Sequence, residues 1–209
     1  RHNAGLINAS RSKRVRSDGV HDDGPNGPSI LERAKAALDV AESGAAPPGV
    51  VAHRRNIFVK LSNEAAVAAL AQGDFSTCLR LLDACSAHLS SINPNPSPLA
   101  AMTANNLACY YRRRGQHERA LAQLMRASDI ESRCMGPIRG AADTQMNFCV
   151  VLSELGQHEQ ARAHAEAALR VLEEERQAAS EGLYTGALHA SALHNLAVEQ
   201  HSLGCVDEA

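Results

Sequence analysis

Apolar and polar positions alternate along most of this chain with the three-to-four-residue period of a helix, and the periodic stretches come in pairs separated by a glycine. Short breaks set the limits of each stretch. The pattern predicts helices over about 51–71 and 75–90, then 99–114 and 118–134, then 138–155 and 159–178, with a further opening helix over 185–203. Ahead of these, Ser29 reads as an N-cap for a short amphipathic helix with Ile30, Leu31, Ala34, Ala37, Leu38 and Ala41 as its apolar stripe, broken by the segment Gly44 to Gly49 with Pro47-Pro48. Each paired turn is only a few residues long, so paired helices must run antiparallel.

The glycines Gly73, Gly115, Gly156 and Gly204 stand 42, 41 and 48 residues apart, each in one context. Seven residues before each lies a small residue, Ala66, Ala108, Cys149 or Ala197, and five after it another, Cys78, Ala120, Ala161 or Ala209. Twelve after come Cys85, Ala127 and Ala168. Small side chains on both helices let two backbones approach closely, and a glycine can adopt the positive φ that ends the first helix. Two consecutive units open their second helix with the same residues, Gly115-Gln116-His117-Glu118 and Gly156-Gln157-His158-Glu159. A recurring unit of this size buries its apolar side only by stacking on copies of itself.

The segment Ala104-Asn105-Asn106-Leu107-Ala108-Cys109-Tyr110-Tyr111, followed by Gly115-Gln116-His117-Glu118-Arg119-Ala120-Leu121, resembles a tetratricopeptide repeat. The spacing and the Asn-Asn-Leu-Ala wording are similar to the longer repeats of kinesin light chains. The resemblance spans about residues 55–209, and it implies an all-α, right-handed α-solenoid of antiparallel helix pairs. The first unit departs from it, with Glu64 and Ala65-Ala66 where others carry asparagine. On this reading residues 1–28 form a disordered basic, Gly/Pro-containing tail, 29–50 a short helix and linker, and 51–209 a solenoid of three full repeats and a truncated fourth. The truncation and the Arg1-His2-Asn3 start lead us to expect a fragment of a longer protein.

Composition narrows the function. With 44% hydrophobic but only 3% aromatic residues and no tryptophan, the core must be aliphatic and built on small residues. A net charge of -2 carries no nucleic-acid signature, and no apolar run is long enough to span a membrane. The cysteines Cys78, Cys85, Cys109, Cys134, Cys149 and Cys205 lack CxxC or zinc-finger spacing and serve as small hydrophobes, which suits a reducing, cytoplasmic compartment. In the tail, Arg11-Ser12-Lys13-Arg14-Val15-Arg16 reads as solvated charge before a nuclear-import signal, and the Asn8-Ala9-Ser10 sequon has no secretory context. No phosphate loop, HExxH pair or nucleophile elbow is present, so neither catalysis nor a cofactor nor a metal is expected.

The remaining chemistry is a ladder of amides. Asn106, Asn147 and Asn195 lie nine residues before their glycines, with Asn105, Met146 and His194 immediately before them. Helical geometry sets them well around from the packing alanine, toward an inner groove. An amide donates and accepts, so it can pair with a bound peptide's backbone whatever the side chains are. In the kinesin-light-chain-like repeats that the chain resembles, asparagines at matching positions line a peptide groove. The candidate peptide-binding residues are Asn105, Asn106, Cys109, Arg112, Asn147, Val150, His194 and Asn195, with Lys60, Asn63, Asp143 and His201 at comparable offsets. The competing reading has the asparagines bonding neighbouring helices or turns.

These residues predict a non-catalytic protein–protein interaction scaffold that holds a partner peptide or helix in its groove, as a cargo adaptor or a cytoskeletal or ciliary assembly factor. The alternative is a structural subunit of a large complex that packs through its outer face and ends. A carboxylate-clamp co-chaperone ranks below both, because Asn63, Val67, Met146 and Val150 occupy positions where such clamps carry lysine or arginine.

Overall fold

The computed structural model describes residues 29–44, 46–90, 97–134, 140–178 and 186–204. The tail reading for 1–28, the proline-rich 93–96, the Gly136-Pro137 break, Cys205 and Ala209 lie outside the described residues. All regular structure among the described residues is helical: α1 (Ile30–Ser43), α2 (Pro48–Ala71), α3 (Phe75–Ser90), α4 (Pro98–Arg113), α5 (His117–Arg133), α6 (Ala141–Glu154), α7 (His158–Ala178) and α8 (Gly186–Ser202). The chain divides into two compact units, residues 1–91 and 92–209.

In the first unit, α1 packs on α2 and α2 on α3. Ser29 caps α1 as its sequence requires, accepting from the backbone N–H of Glu32 while the Glu32 carboxylate accepts from the Ser29 N–H at 2.6 Å. The apolar stripe of α1 buries Leu38 and Ala41, and Arg54 and Arg55 of α2 reach back to the Ala37 carbonyl and the Glu42 carboxylate. Helix α2 starts at Pro48, three residues earlier than the pattern predicts. Proline at a first helical position loses no hydrogen bond and already has the right φ, so Pro47-Pro48 launches the helix it was expected to precede.

The second unit stacks two full pairs and one further helix: α4 packs on α5, α6 on both, α7 on α6, and α8 on α7 and α6. Small residues make these approaches possible. Ala108, Ala120, Leu124, Cys149, Ala161 and Ala165 share one core with Phe148, Val151 and Leu152, and Ala142, Met146, Ala168, Leu172 and Ala192 form a second. The cysteines at repeat positions are buried like the alanines they replace, and burial pushes the Cys149 thiol up to about 12 and that of Cys85 to about 11.

The turn between paired helices has one construction. In the second pair, Gly115 takes φ +68° while its N–H donates to the Arg112 carbonyl and that of Gln116 to the Tyr111 carbonyl. The equivalent two bonds recur around Gly73 and Gly156. This double bond satisfies the last helical carbonyls and reverses the chain in the left-handed region. Repeat length varies elsewhere. Helix α7 is 21 residues against 17 for α5, and α8 starts 18 residues before its glycine against 15 for α6.

Candidate functional site

The first helices of the second unit carry the candidate positions, and the small residues described above fix their orientation. With Ala108 of α4 and Cys149 of α6 buried against their second helices, Asn105, Asn106, Cys109, Arg112, Asn147 and Val150 turn to a different side and are all partly exposed. Asn147 Nδ2 donates to Asn105 Oδ1 at 3.0 Å, joining α4 and α6 across 42 residues of sequence. Cys109 lies between them, its thiol bonded to Asn147 and pushed up by burial, an effect that the nearby Arg112 opposes. One residue of each pair along this face is therefore held by its neighbour.

The amide pair has residual capacity. Both residues are partly exposed, and two amides joined by one hydrogen bond hold further donor and acceptor capacity between them.

At the C-terminal end of α4 the charge is neutralised. Arg112 donates to Glu154 of α6 at 2.8 Å, and His117, the first residue of α5, approaches the other oxygen of that carboxylate at 3.3 Å. Arg112 thus holds two stacked pairs together. At the other end, Asp143 of α6 stands in the field of Glu131 and Glu175, and burial first, then those two charges, push its carboxyl up to about 6. Glu131 is likewise raised by burial, although it accepts a hydrogen bond from the Thr144 hydroxyl at 2.7 Å.

Not every amide of the ladder joins this group. Asn63 of α2 is 1% exposed and spends its amide on internal bonds, donating to the Val59 carbonyl of its own helix and to Cys85 Sγ of α3. Met146, at the matching place in α6, is buried in the core. On α8, Asn195 is partly exposed and His194 and His201 are exposed; among the described residues no hydrogen bond joins them to Asn147. Val150, between Asn147 and Glu154 in sequence, is partly exposed.

Two carboxylates escaped the sequence reading. Glu154 bridges Arg112 and His117, and Glu199 of α8, only 2% exposed, accepts from or donates to His158 Nδ1 at 2.8 Å according to its tautomer and proton. In both cases the histidine that opens a second helix lies beside a glutamate on the next first helix, hydrogen-bonded to it at His158 and only close to it, at 3.3 Å, at His117. The recurrence of His117 and His158 was visible, but the glutamates sit two and five residues before their glycines, so no shared offset marked them. A shallow concavity between α7 and α8, lined by Leu169, Arg170, Glu173, Glu174, His189 and Leu193, lies apart from the amide pair. Among the described residues no group of three His, Cys, Asp or Glu side chains is arranged to hold a metal, and no helix is long and apolar enough to cross a membrane.

Residues 57–131 match the family model of the tetratricopeptide repeat. No curated protein matches the chain. Among solved structures, it is similar to the crystal structure of BtubC (BKLC) from P. vanneervenii, with 20% sequence identity and a TM-score of 0.65 over 84% of this chain and 68% of that one. That likeness is one of fold, and it extends the helix-pair architecture beyond the residues that the family model reads. The Schellman-type turns, the small-residue contacts and these two comparisons lead to one conclusion: residues 57–131 carry tetratricopeptide repeats, and the described helix pairs beyond them continue the same fold.

Proposed function

We propose that this chain is a non-catalytic interaction scaffold in which α4 and α6 hold an extended or helical segment of a partner protein. Tetratricopeptide repeats imply protein–protein interaction in general. The Asn105–Asn147 pair is the observation that carries the specific reading, because it joins α4 and α6 on a partly exposed face and two amides sharing one hydrogen bond keep further donor and acceptor capacity. Cys109 and Val150 supply apolar contact beside them, and the paired Arg112 contributes no net charge to recruit a terminal carboxylate. Recognition on this surface reads backbone more than side-chain charge. The Asn-Asn-Leu-Ala wording supports a kinesin-light-chain-like adaptor working in the cytoplasm, with a role in cargo attachment or in a cytoskeletal or ciliary assembly.

The test is affinity capture of the protein from its native cells, comparing wild type with Asn105→Leu/Asn147→Leu after circular dichroism has shown both to be helical. Loss of a small, defined set of partners is expected. An unchanged set sinks the groove reading and favours the structural subunit that packs through its outer face and ends.

A further inference from the structure

Helices α1 and α3 both reach one aromatic ring of α2. Phe58 is 5% exposed; the Lys35 ammonium of α1 stands over its ring at 5.6 Å from the centroid, and the His88 imidazole of α3 packs edge-on to it, centroids 5.1 Å apart and planes at 75°. Around this ring α1 is held by the buried Leu38 and Ala41, by Arg54, which donates to the Ala37 carbonyl at 2.8 Å, and by Arg55, which donates to the Glu42 carboxylate at 2.7 Å. Among the described residues α1 packs on α2 alone, so it can leave without parting α2 from α3.

The charges that face His88 are balanced before it takes a proton. Among the described residues four act on it: Lys35, Asp39 and Glu42 from α1 and Arg55 from α2. They are paired two and two, Lys35 with Asp39 and Arg55 with Glu42, so each carboxylate that favours an imidazolium is already matched by a cation. A proton on His88 therefore adds a third positive charge to a neutral set, against a ring that Lys35 already occupies. Burial acts in the same direction and is the largest influence, holding the imidazole below its ordinary 6.5. When α1 leaves, three of the four charges leave with it, and water reaches Phe58 and the imidazole beside it.

We propose that α1 is a proton-operated strap: with His88 neutral it lies docked on α2, and protonation of His88 releases it and bares Phe58. The docked state disfavours the imidazolium and the released state solvates it. Docking is therefore complete above the ordinary histidine value of 6.5 and is lost as pH falls below it. The device belongs to the first unit and does not depend on the groove of Asn105 and Asn147.

Hydrogen exchange of the 209-residue chain, read by mass spectrometry at about pH 7.5 and about pH 5 and corrected for intrinsic rates, tests the strap. The Glu32 carboxylate of the capping box, which its bonds to Ser29 hold below the usual carboxylate range, stays charged at both values, so the cap of α1 is constant. Protection of residues 30–43 should fall at the lower pH while that of α3 is kept. His88→Gln, uncharged throughout, should remove the difference, and His164→Gln should keep it. Asp39→Asn, at an exposed position, takes away a carboxylate that favours the imidazolium and should enlarge the loss, an arm that stands even where circular dichroism shows His88→Gln to be unfolded. Equal protection of α1 at the two pH values overturns the proposal, as does a loss that persists in folded His88→Gln or one that Asp39→Asn fails to enlarge. A loss shared equally by α3 overturns it too, since that is unfolding of the whole unit.

Discussion

Gly115 combines two facts that set the cost of replacing it: its φ is +68°, and a Cβ built there meets no atom within 4 Å. Gly115→Ala is therefore penalised by backbone conformation alone, about 1–2 kcal/mol, which urea denaturation should read as a lower midpoint at unchanged slope. Asp143 is a residue whose charge opposes folding. Its carboxyl is raised from 3.8 to about 6, so the folded state holds a proton that the unfolded state has released, and stability falls as pH rises through that window. Asp143→Asn should accordingly stabilise the protein above about pH 6, by about 1–3 kcal/mol, with the gain vanishing below about pH 4. The partly buried imidazoles of His88 and His164 act in the opposite sense. Burial lowers both, so the stability they contribute is complete above the unfolded value of 6.5 and is lost as pH falls below it. Thermal melts from pH 4 to 8 on His164→Gln and wild type check this: the acid-side loss should be smaller in the variant.

The turn glycines and small-residue pairs were legible at the scale of elements because their physical demands recur at fixed offsets, whereas helix ends were set by chemistry that a periodic pattern does not contain. Pro48 looks like a breaker until it is placed at a first helical position, and Gly140, at φ +104°, starts α6 later than its apolar pattern suggests. The site was legible only in part. Asn105 and Asn147 were named individually from the sequence, but their mutual hydrogen bond depends on how one pair stacks on the next, and Asn63 shows the same residue type turned to internal use. The clasp of His158 and Glu199 is a prediction of the same scale. Removing His158 strands a carboxylate that is 2% exposed on a helix that buries little else, so His158→Ala should cost about 1–3 kcal/mol. Amide exchange checks where the cost falls: protection should drop in α8 and leave α4 and α5 unchanged.

For the whole molecule, stability is distributed over neighbour contacts and has no single centre. The second unit has its own cores, one around Leu124 and Cys149 and one around Met146 and Leu172. A chain starting at Ile92 should thus remain helical and melt cooperatively, with far-ultraviolet circular dichroism per residue close to that of the parent.

The unequal repeat lengths bear on how such a chain can change. Between Gly156 and Gly204 there are seven more residues than between Gly115 and Gly156, and the described helices account for them as four added to α7 and three to α8. Four residues advance a helix by about 400° and three by about 300°, so each addition leaves the buried stripe within about 60° of its former bearing, and the two together come to nearly whole turns. A single inserted residue would swing everything beyond it by about 100° and carry Ala168 out of its contact. Inside these helices, then, length should change in steps of three and four residues, and a reading of insertions and deletions across related genes should find those sizes in the helices and arbitrary ones between the pairs.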